Sequence, residues 1–132
     1  MLEITVRSSH IDMFGHVNNA RYIEFLEWDR VQMTADQGID LLAMAAEGLG
    51  PAVVRMEINY RLEARMGEVL LLDSQPIELK NDKVGVIKQT VTNKKSGKII
   101  CDAMVTFVMI DLRQRKSVPM PEAMKKFFPK KS

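Results

Sequence analysis

The order of the elements constrains this chain most, because a single long helical pattern is followed almost entirely by strand patterns. Residues 2–7 alternate apolar and polar side chains, which predicts a half-buried first strand. Apolar residues then recur at helical spacing, so we predict a long helix that begins at Asn18 or Asn19 and ends at Gly38. Its apolar positions cover a wide arc, which indicates that a curved sheet wraps around it. A second, short helix is predicted over residues 41–46.

Strand patterns joined by short turns fill the second half of the chain. Their predicted bounds are residues 52–63, 69–79, 84–93 and 98–112. Short turns favour antiparallel pairing of neighbours, and Pro76 predicts a sheet edge or a bulge. The last pattern is apolar on both faces, which predicts an interior strand with one face on the helix and the other on a partner. The sequence therefore predicts an α+β fold, a five-stranded antiparallel sheet wrapped around one long helix, as a single domain over residues 1–132.

The composition excludes several classes of protein. A chain of 132 residues, 46% of them hydrophobic, can build one ordinary core. A net charge of +2, from 19 basic and 17 acidic residues, does not suggest a nucleic-acid partner, and no run approaches the ~20 apolar residues that span a membrane. The single cysteine, Cys101, and the lack of a signal segment favour the cytoplasm. A basic tail is predicted to be solvated, and comprises Lys125, Lys126, Lys130 and Lys131.

An ionisable loop leads directly into the start of the long helix. Residues 9–17 carry Asp12 between two histidines, and Gly15 predicts a turn. The first turn of a helix has unpaired backbone N–H groups and a partial positive charge, which can stabilise developing negative charge. Asp12 and the helix start therefore form a candidate active site. The alternative is that Asp12 only caps backbone N–H groups of its own loop.

Residues 10–22, followed by Glu27 and Arg30, form a recognisable signature. They resemble the loop and helix of the 4-hydroxybenzoyl-CoA thioesterase-like family of acyl-CoA thioesterases, which has the hotdog fold. Within that family the chain is most similar to the bacterial long-chain acyl-CoA thioesterase III type. Residues 58–61 and 102–112 also look like segments of that type, so the resemblance extends over most of the chain.

The resemblance implies hydrolysis of an acyl-CoA thioester with no metal and no organic cofactor. It implies homo-oligomers, at least dimers and more readily tetramers, whose active sites are shared between subunits, and it assigns the catalytic carboxylate to Asp12. The chain departs from the wider family at His10, which replaces the first acid of the common pattern. It departs again at Leu62-Glu63, where relatives often have a basic residue and a proline. Medium- to long-chain fatty acyl groups are the expected substrates.

Asp12 has two possible roles in thioester hydrolysis. It can attack the carbonyl carbon as a nucleophile and form a mixed anhydride, or it can act as a general base on water, and the sequence leaves both open. The oxyanion needs hydrogen-bond donors, which we expect from backbone N–H groups at the helix N-terminus. These groups belong to Val17, Asn18, Asn19 and Ala20.

Four neighbouring side chains are predicted to support Asp12 or position the substrate. His16 is expected to hold the loop against the helix start, and His10 to orient Asp12 or face solvent. Asn18 and Asn19 are predicted to cap the helix, and they could also position the attacking water. A metal site of two histidines and one carboxylate is the alternative, but the spacing is loose and no fourth ligand is evident.

Other charged residues have subsidiary predicted roles. Glu27 and Arg30 have the i,i+3 spacing of a helical ion pair. Glu24 or Glu27 is the fallback catalytic carboxylate. Because CoA carries phosphates, Arg61 and Arg65 are candidate CoA-binding residues.

The chain contains 10 methionines, a flexible residue that adapts to irregular cavities and ligands. Some are predicted to line a tunnel for an acyl chain, although core filling explains any one of them equally well. The set, with neighbouring apolar residues, comprises Met13, Met33, Met44, Met56, Met104, Met109, Phe25, Leu41 and Leu42. Cys101 begins an apolar strand and is predicted to be packed rather than nucleophilic.

Three alternatives to an acyl-CoA thioesterase remain open. The same fold can carry an acyl-carrier-protein thioesterase, a dehydratase that pairs a histidine with an acid, or a non-catalytic acyl-CoA-binding module. Release of free thiol distinguishes hydrolysis from dehydration. A binding module would retain its ligand without turnover.

Overall fold

A computed structural model describes residues 1–130, and its elements follow the predicted order with one added strand. The chain forms β1 (Leu2–Thr5), a 3₁₀ helix (Ser8–His10), α1 (Asn19–Asp36), α2 (Leu41–Ala46), β2 (Leu49–Tyr60), β3 (Val69–Lys80), β4 (Val84–Asn93), β5 (Ile99–Asp111), β6 (Lys116–Val118) and α3 (Glu122–Lys125). No helix within residues 1–130 is both long and apolar enough to cross a membrane.

The strands form an antiparallel sheet in the order β1-β3-β4-β5-β2, and β6 pairs with β5. Residues 2–5 of β1 lie opposite residues 69–72 of β3. Pro76 lies beyond the residues of β3 that pair with β1. It is therefore at a local edge on that side of β3, as the prediction of a sheet edge requires. The interior position predicted for β5 is confirmed, because β5 lies between β4 and β2. The predicted α+β architecture, with one long helix and an antiparallel sheet, is also confirmed.

Two features of the sheet differ from the prediction. β2 covers Leu49–Tyr60 rather than residues 52–63, so Gly50 and Pro51 lie inside the strand. Proline is tolerated there because β2 is the last strand in the sheet order, where a missing N–H breaks no ladder on its free side. The added strand, β6, gives six strands rather than five. A turn containing Arg115, with φ of 58°, returns the chain against the end of β5.

The buried face of α1 is narrower than its sequence predicts. The buried apolar side chains follow one stripe, which comprises Tyr22, Phe25 and Leu26, and the buried polar side chains of the helix are Asp29 and Thr34. Three other apolar side chains of α1 are close to half exposed, namely Ile23 (44%), Trp28 (45%) and Val31 (50%). The apolar positions of α1 therefore extend beyond the face that is buried in the single chain.

Two compact units make up the chain, and the first contains the loop of interest. It comprises Met1–Met33, Ile58–Ser74 and Gln89–Ala103. Phe25 lies at the centre of its aromatic core and is fully buried. Its ring centroid lies 5.0 Å from that of His10, 6.0 Å from Tyr22 and 5.5 Å from Trp28. The start of α1 is therefore fixed by packing as well as by its cap.

A buried polar network lies beneath α1 in the same unit. The Ser74 hydroxyl donates to the carboxylate of Asp29, which is 3% exposed, and Gln89 Nε2 donates to Ser74 Oγ at 2.8 Å. Arg30 donates to Gln89 Oε1 at 3.0 Å. The predicted ion pair between Glu27 and Arg30 does not form as a direct contact. Arg30 turns inward, where burial lowers its pKa and the Glu27 charge only partly opposes that shift.

The second unit is closed by the C-terminal segment. It comprises Thr34–Glu57, Gln75–Lys88 and the residues from Met104 onward. Met120, Met124 and Phe128 are buried, and the Phe128 ring packs 6.2 Å from that of Phe107. Both rings lie against Gly85, where an added Cβ would come within 2.5 Å of Phe107. The segment after β6 is therefore part of a core.

The basic tail is only partly solvated. Lys125 lies 3.3 Å from the Glu122 carboxylate and 3.8 Å from that of Asp82, so one predicted solvated lysine is ion-paired. The Lys126 ammonium lies 5.2 Å from the centroid of the Phe127 ring. Lys131 lies outside the described residues.

Candidate active site

The loop before α1 is closed on itself. Ile11 and Val17 form an antiparallel bridge, and the Asp12 N–H donates to the His16 carbonyl oxygen at 3.1 Å. Gly15 has φ of 83°, which glycine adopts readily, and its N–H donates to the Asp12 carbonyl oxygen at 3.1 Å. The turn predicted at Gly15 is confirmed. It places Asp12 at the end of the loop that faces the helix.

The Asp12 carboxylate has one engaged oxygen and one freer oxygen. Oδ1 accepts the Phe14 N–H at 2.9 Å, and the Asn18 side-chain amide lies 3.4 Å from Oδ2. The first contact is the local capping expected if Asp12 were only structural. The second is long and leaves Oδ2 less engaged than Oδ1, and Asp12 lines a pocket. That pocket has a volume of about 380 Å³ and is lined by Asp12, His16, Val17, Asn19, Tyr22, Tyr60, Arg61, Leu62 and Glu63.

Asn18 links this carboxylate to the helix. Its Oδ1 accepts the Ala20 N–H at 2.9 Å, and its carbonyl oxygen accepts the Arg21 N–H at 2.9 Å. Asn18 is therefore the N-cap, as one of the two predicted candidates. Because the same side chain contacts Asp12, the cap also sets the distance between the carboxylate and the start of α1.

The expected set of four oxyanion donors is too broad. The Val17 N–H donates to the Ala64 carbonyl oxygen at 2.9 Å, the Asn18 N–H donates to a loop carbonyl oxygen at 3.0 Å, and the Ala20 N–H is capped. Within the described part of the chain, the Asn19 N–H alone of the four has no acceptor. The cause is that Ala64 of a distant segment, the loop and the cap use the other three donors.

Tyr60 bonds the next peptide group of the helix start. Its hydroxyl donates to the Asn19 carbonyl oxygen at 3.1 Å, and its ring lies 5.8 Å from the Tyr22 ring. The end of β2 is thereby held against the first turn of α1. The sequence pattern assigns neither tyrosine a role in the site. The signal that could have revealed Tyr22 is its position three residues after Asn19, on one helix face.

His10 supports the loop without contacting the Asp12 side chain. Its Nδ1 accepts the Arg7 N–H at 3.0 Å, and its carbonyl oxygen accepts the Asn18 N–H at 3.0 Å. Burial, and then the charges of Arg21 and Arg7, lower the pKa of His10 below 6.5. The neutral ring packs on the aromatic core. Its effect on Asp12 is therefore indirect, through Asn18.

His16 contacts the other side of the pocket. Its Nε2 lies 3.0 Å from a Glu63 carboxylate oxygen, and Arg65 lies 2.8 Å from the other oxygen of that carboxylate. Arg65, and then the charge of His16, lower the pKa of Glu63. Arg65 is thus paired with Glu63 and does not line the pocket. Arg61 does line it and forms an ion pair with Asp102.

Several alternative sites are not brought together. No three His, Cys, Asp or Glu side chains of residues 1–130 are grouped to hold a metal ion. Glu24, the fallback carboxylate, pairs with Arg21 at 3.0 Å. Cys101 is fully buried, and burial raises the pKa of its thiol to about 12, so the prediction that it is packed is confirmed. Met13 is 92% exposed and Met109 is fully buried, so the predicted methionine set does not line one tunnel.

The site belongs to a chain with recognisable relatives. A family model described as the thioesterase-like superfamily matches residues 6–128. The long-chain acyl-CoA thioesterase FadM of Escherichia coli (strain K12) is 38% identical over 121 residues, which cover 89% of this chain and 88% of that protein.

Solved structures give the same likeness. The probable thioesterase YbaW from Escherichia coli superposes with a TM-score of 0.78 at 34% identity, covering 95% of this chain and 92% of that one. The 1,4-dihydroxy-2-naphthoyl-CoA thioesterase Slr0204 from Synechocystis has a TM-score of 0.87 at 17% identity, covering 95% and 91%, and shows the fold alone. The resemblance and the hotdog fold inferred from the sequence are confirmed.

Proposed function

This chain belongs to the thioesterase-like superfamily and is an acyl-CoA thioesterase, and we propose that its active site is the pocket between the loop and the start of α1. The observation that carries the proposal is that the Asp12 carboxylate and Asn19, with its free N–H, line the same pocket. Thioester hydrolysis needs an attacking group and an oxyanion donor, and these two residues supply them.

Asp12 Oδ2 begins the reaction by one of two routes. It attacks the thioester carbonyl carbon and forms a mixed anhydride that water then hydrolyses, or it takes a proton from water that attacks the same carbon. In both routes the carbonyl oxygen becomes an oxyanion and accepts the Asn19 N–H at the positive end of α1. Collapse of the tetrahedral intermediate breaks the C–S bond and releases CoA thiolate, which takes a proton from solvent. The products are the free acid and CoA.

Removing the carboxylate tests the assignment. Asp12→Asn and Asp12→Ala are expected to lower kcat/KM by about 10³-fold or more, measured as release of free thiol from acyl-CoA. Glu24→Gln, which changes a carboxylate paired with Arg21, is the matched control and should retain activity. Wild-type rates in both Asp12 variants would show that another group attacks. Label in the Asp12 carboxylate after a single turnover in ¹⁸O-water would establish the nucleophilic route, because it enters only when water attacks the Asp12 carbonyl of a mixed anhydride.

We further propose that medium- and long-chain acyl groups are preferred. The relative named as a long-chain acyl-CoA thioesterase supports this, as does the apolar pocket wall at Tyr60 and Leu62, which are 49% and 48% exposed. A panel from butyryl-CoA to stearoyl-CoA, with benzoyl-CoA and an acyl-carrier-protein thioester, measures the preference. Higher kcat/KM for the aromatic or the carrier-protein substrate would reject it.

Arg61 is the better of the two candidates for binding CoA phosphate. It lines the pocket, which Arg65 does not, although each guanidinium forms an ion pair, Arg61 with Asp102 and Arg65 with Glu63. Arg61→Met is expected to raise KM with little change in kcat, because phosphate binding is the same in ground and transition states. Arg65→Met is the control. An equal rise in KM for both variants would contradict a specific role for Arg61.

The proposed oligomer rests on β2. This strand of 12 residues is at one end of the sheet order, and Val53 (47%) and Val54 (59%) are exposed along it. A long exposed edge favours pairing with another strand. A two-fold axis at Met56 would pair β2 with β2 of a second copy and set Arg55 opposite Glu57 of that copy. Such a dimer would bring the second copy beside Tyr60, and hence beside the pocket, as a shared site requires.

A charge exchange tests this register. Arg55→Glu should raise the dimer dissociation constant about tenfold, because two favourable cross-strand pairs become repulsive. Arg55→Glu combined with Glu57→Arg should restore it, and sedimentation velocity measures both, together with the predicted tetramer. A wild-type monomer at micromolar concentration would reject the shared site. A dimer that is indifferent to the exchange would reject only the register.

Three further predictions accompany the proposal. The chain acts as a single domain over residues 1–132, it works in the cytoplasm, and it needs neither metal nor organic cofactor. The buried state of Cys101 supports a chain without disulfides. Activity in the presence of EDTA tests whether the chain works without a metal ion, and activity in the presence of a reductant tests whether it works without a disulfide.

A further inference from the structure

A second cleft lies beside the pocket that Asp12 lines. It has a volume of about 700 Å³, and it shares one wall with that pocket, formed by Arg61, Leu62 and Glu63. Its other wall includes the turn between β4 and β5, which contributes the exposed residues Lys95 and Ser96. Both walls belong to the first compact unit of the chain. A ligand longer than the pocket would therefore extend over Arg61 and into the cleft.

Hydrogen bonds hold the turn in place, which fixes where its side chains begin. Asn93 is 7% exposed, and its Oδ1 accepts the backbone N–H groups of Lys95 and Ser96 at 2.9 and 3.2 Å. Its Nδ2 donates to the Glu68 carboxylate at 2.6 Å. Gly97, with φ of 73°, donates its N–H to the Asn93 carbonyl oxygen at 2.8 Å. The turn therefore uses these backbone donors itself and leaves the two side chains of Lys95 and Ser96 for a ligand.

Lys95 is the cation of the cleft that has no partner of its own. Arg61, the other cation, pairs with Asp102. Within residues 1–130 no ion pair or hydrogen bond engages the Lys95 ammonium. The Ser96 hydroxyl accepts the Lys98 N–H at 3.2 Å, and in the same part of the chain its own proton has no acceptor. An unpaired ammonium beside a free hydroxyl provides donors that phosphate oxygens accept.

The two carboxylates of the cleft are already engaged. Glu63 lies 3.0 Å from His16 and 2.8 Å from Arg65. Glu68 accepts two hydrogen bonds, one of them from the Arg65 backbone N–H at 2.6 Å. Each carboxylate therefore faces its own donors, and the charge that faces the cleft without a partner is that of Lys95.

We propose that Lys95 and Ser96 bind a phosphate group of CoA while the thioester lies in the pocket with Asp12. The inference rests on the proposed function, because that function places the reacting carbonyl in the pocket. In CoA the pantetheine arm separates the thioester from the diphosphate and from the 3′-phosphate. A phosphate site must therefore lie well outside the pocket, on a surface that adjoins it.

The spacing along β5 meets this requirement. The Arg61 N–H donates to the Ile100 carbonyl oxygen at 2.9 Å, which places Ile100 beside the shared wall. Lys98 closes the turn, because its carbonyl oxygen accepts the Asn93 N–H at 2.9 Å. Lys98 and Ile100 are two residues apart, or about 7 Å along a strand, and Lys95 lies beyond Lys98. The pantetheine arm would cross this distance.

Lys95→Met removes the charge, and Lys94→Met is the matched control, because Lys94 is adjacent in the turn but pairs with Glu3 at 2.8 Å. We expect Lys95→Met to raise KM for an acyl-CoA about tenfold with kcat nearly unchanged, since phosphate binding is the same in ground and transition states. Ser96→Ala should raise KM by a smaller factor. Lys94→Met should change neither constant. Unchanged KM in Lys95→Met, or an equal rise in both lysine variants, would overturn the assignment.

A truncated substrate separates phosphate binding from a disturbed pocket. The same acyl group on pantetheine carries no phosphate, so wild type and Lys95→Met should hydrolyse it with equal kcat/KM. An equal loss on the truncated substrate and on acyl-CoA would contradict a phosphate site. An acyl-3′-dephospho-CoA identifies the group that is bound. If Lys95→Met has no effect on that substrate, the 3′-phosphate is bound, and if its effect remains, the diphosphate is bound.

Binding of free CoA, measured by isothermal titration calorimetry, judges the site without any hydrolysis. Lys95→Met should weaken CoA binding about tenfold, and Lys94→Met should stay within about twofold of wild type. Equal affinities in wild type and Lys95→Met would reject the phosphate site. If wild type binds CoA through Lys95 but hydrolyses no acyl-CoA, the proposed function fails and the phosphate site stands.

Discussion

Gln89→Leu is the most direct test of what holds α1 in place above the sheet. Gln89 is fully buried, and its side chain makes three hydrogen bonds. Nε2 donates to the Leu26 carbonyl oxygen at 2.9 Å and to Ser74 Oγ at 2.8 Å, and Oε1 accepts from Arg30 at 3.0 Å. Leucine has a similar size and can make none of these bonds. The half-buried guanidinium of Arg30 would lose this acceptor.

The expected cost follows from the three bonds. Each neutral bond contributes about 1 kcal/mol and the bond to the charged guanidinium about 2 kcal/mol, while the extra apolar surface of leucine offsets about 1 kcal/mol. The net loss is about 3 kcal/mol. With an unfolding entropy of about 2.1 cal/mol/K per residue, a chain of 132 residues would lose about 11 °C in melting temperature.

Thermal and urea unfolding, followed by circular dichroism, measure this loss. Gln75→Leu makes the same exchange at an exposed position of β3 and should change stability by no more than about 0.5 kcal/mol. Arg30→Met in the Gln89→Leu background removes the guanidinium charge that has lost its acceptor, and it should recover part of the lost stability. If Gln89→Leu is as stable as the wild type, the buried network does not stabilise the fold and the reasoning is refuted.

Three more predictions concern the other unit, the loop and the cap. Gly85→Ala should cost about 1–3 kcal/mol in urea unfolding, because its Cβ would lie 2.5 Å from Phe107; an unchanged midpoint would contradict the close packing. Because the pKa of His10 is lowered by burial and nearby guanidinium groups, the unfolded chain takes up a proton first as the pH falls below 6.5, and stability should decline there. His10→Asn, which keeps an acceptor, should flatten that decline in melting temperature, and an unaltered pH profile would count against it. Asn18→Ala should cost about 1 kcal/mol and Asn18→Ser much less, because serine still caps the Ala20 N–H; equal losses in chemical denaturation would argue against capping.

Local patterns were enough to predict most of the elements. The helix over residues 41–46 and the strand over residues 84–93 match the structure residue for residue, because hydrophobic periodicity and turn residues act within a few positions. Gly38, with φ of 79°, lies just past α1 as its sequence position predicts. The start of β2 was wrong because Pro51 reads as a breaker unless its strand is known to lie at an edge. The sequence does not predict β6, because a strand of only three residues, two of them polar, pairs only when β5 is already present.

The sequence by itself determined the turn at Gly15 and the cap at Asn18, since each depends on hydrogen bonds between residues at most three positions apart. Only the tertiary structure decided which amide remains free at the helix start. The Val17 N–H is bonded to the carbonyl oxygen of Ala64, and the Asn19 carbonyl oxygen accepts from the Tyr60 hydroxyl, and both partners come from a distant segment. Local sequence is enough to form hydrogen bonds between near neighbours. Whether a donor lacks a partner depends on the positions of all distant acceptors, and only the tertiary structure fixes those positions.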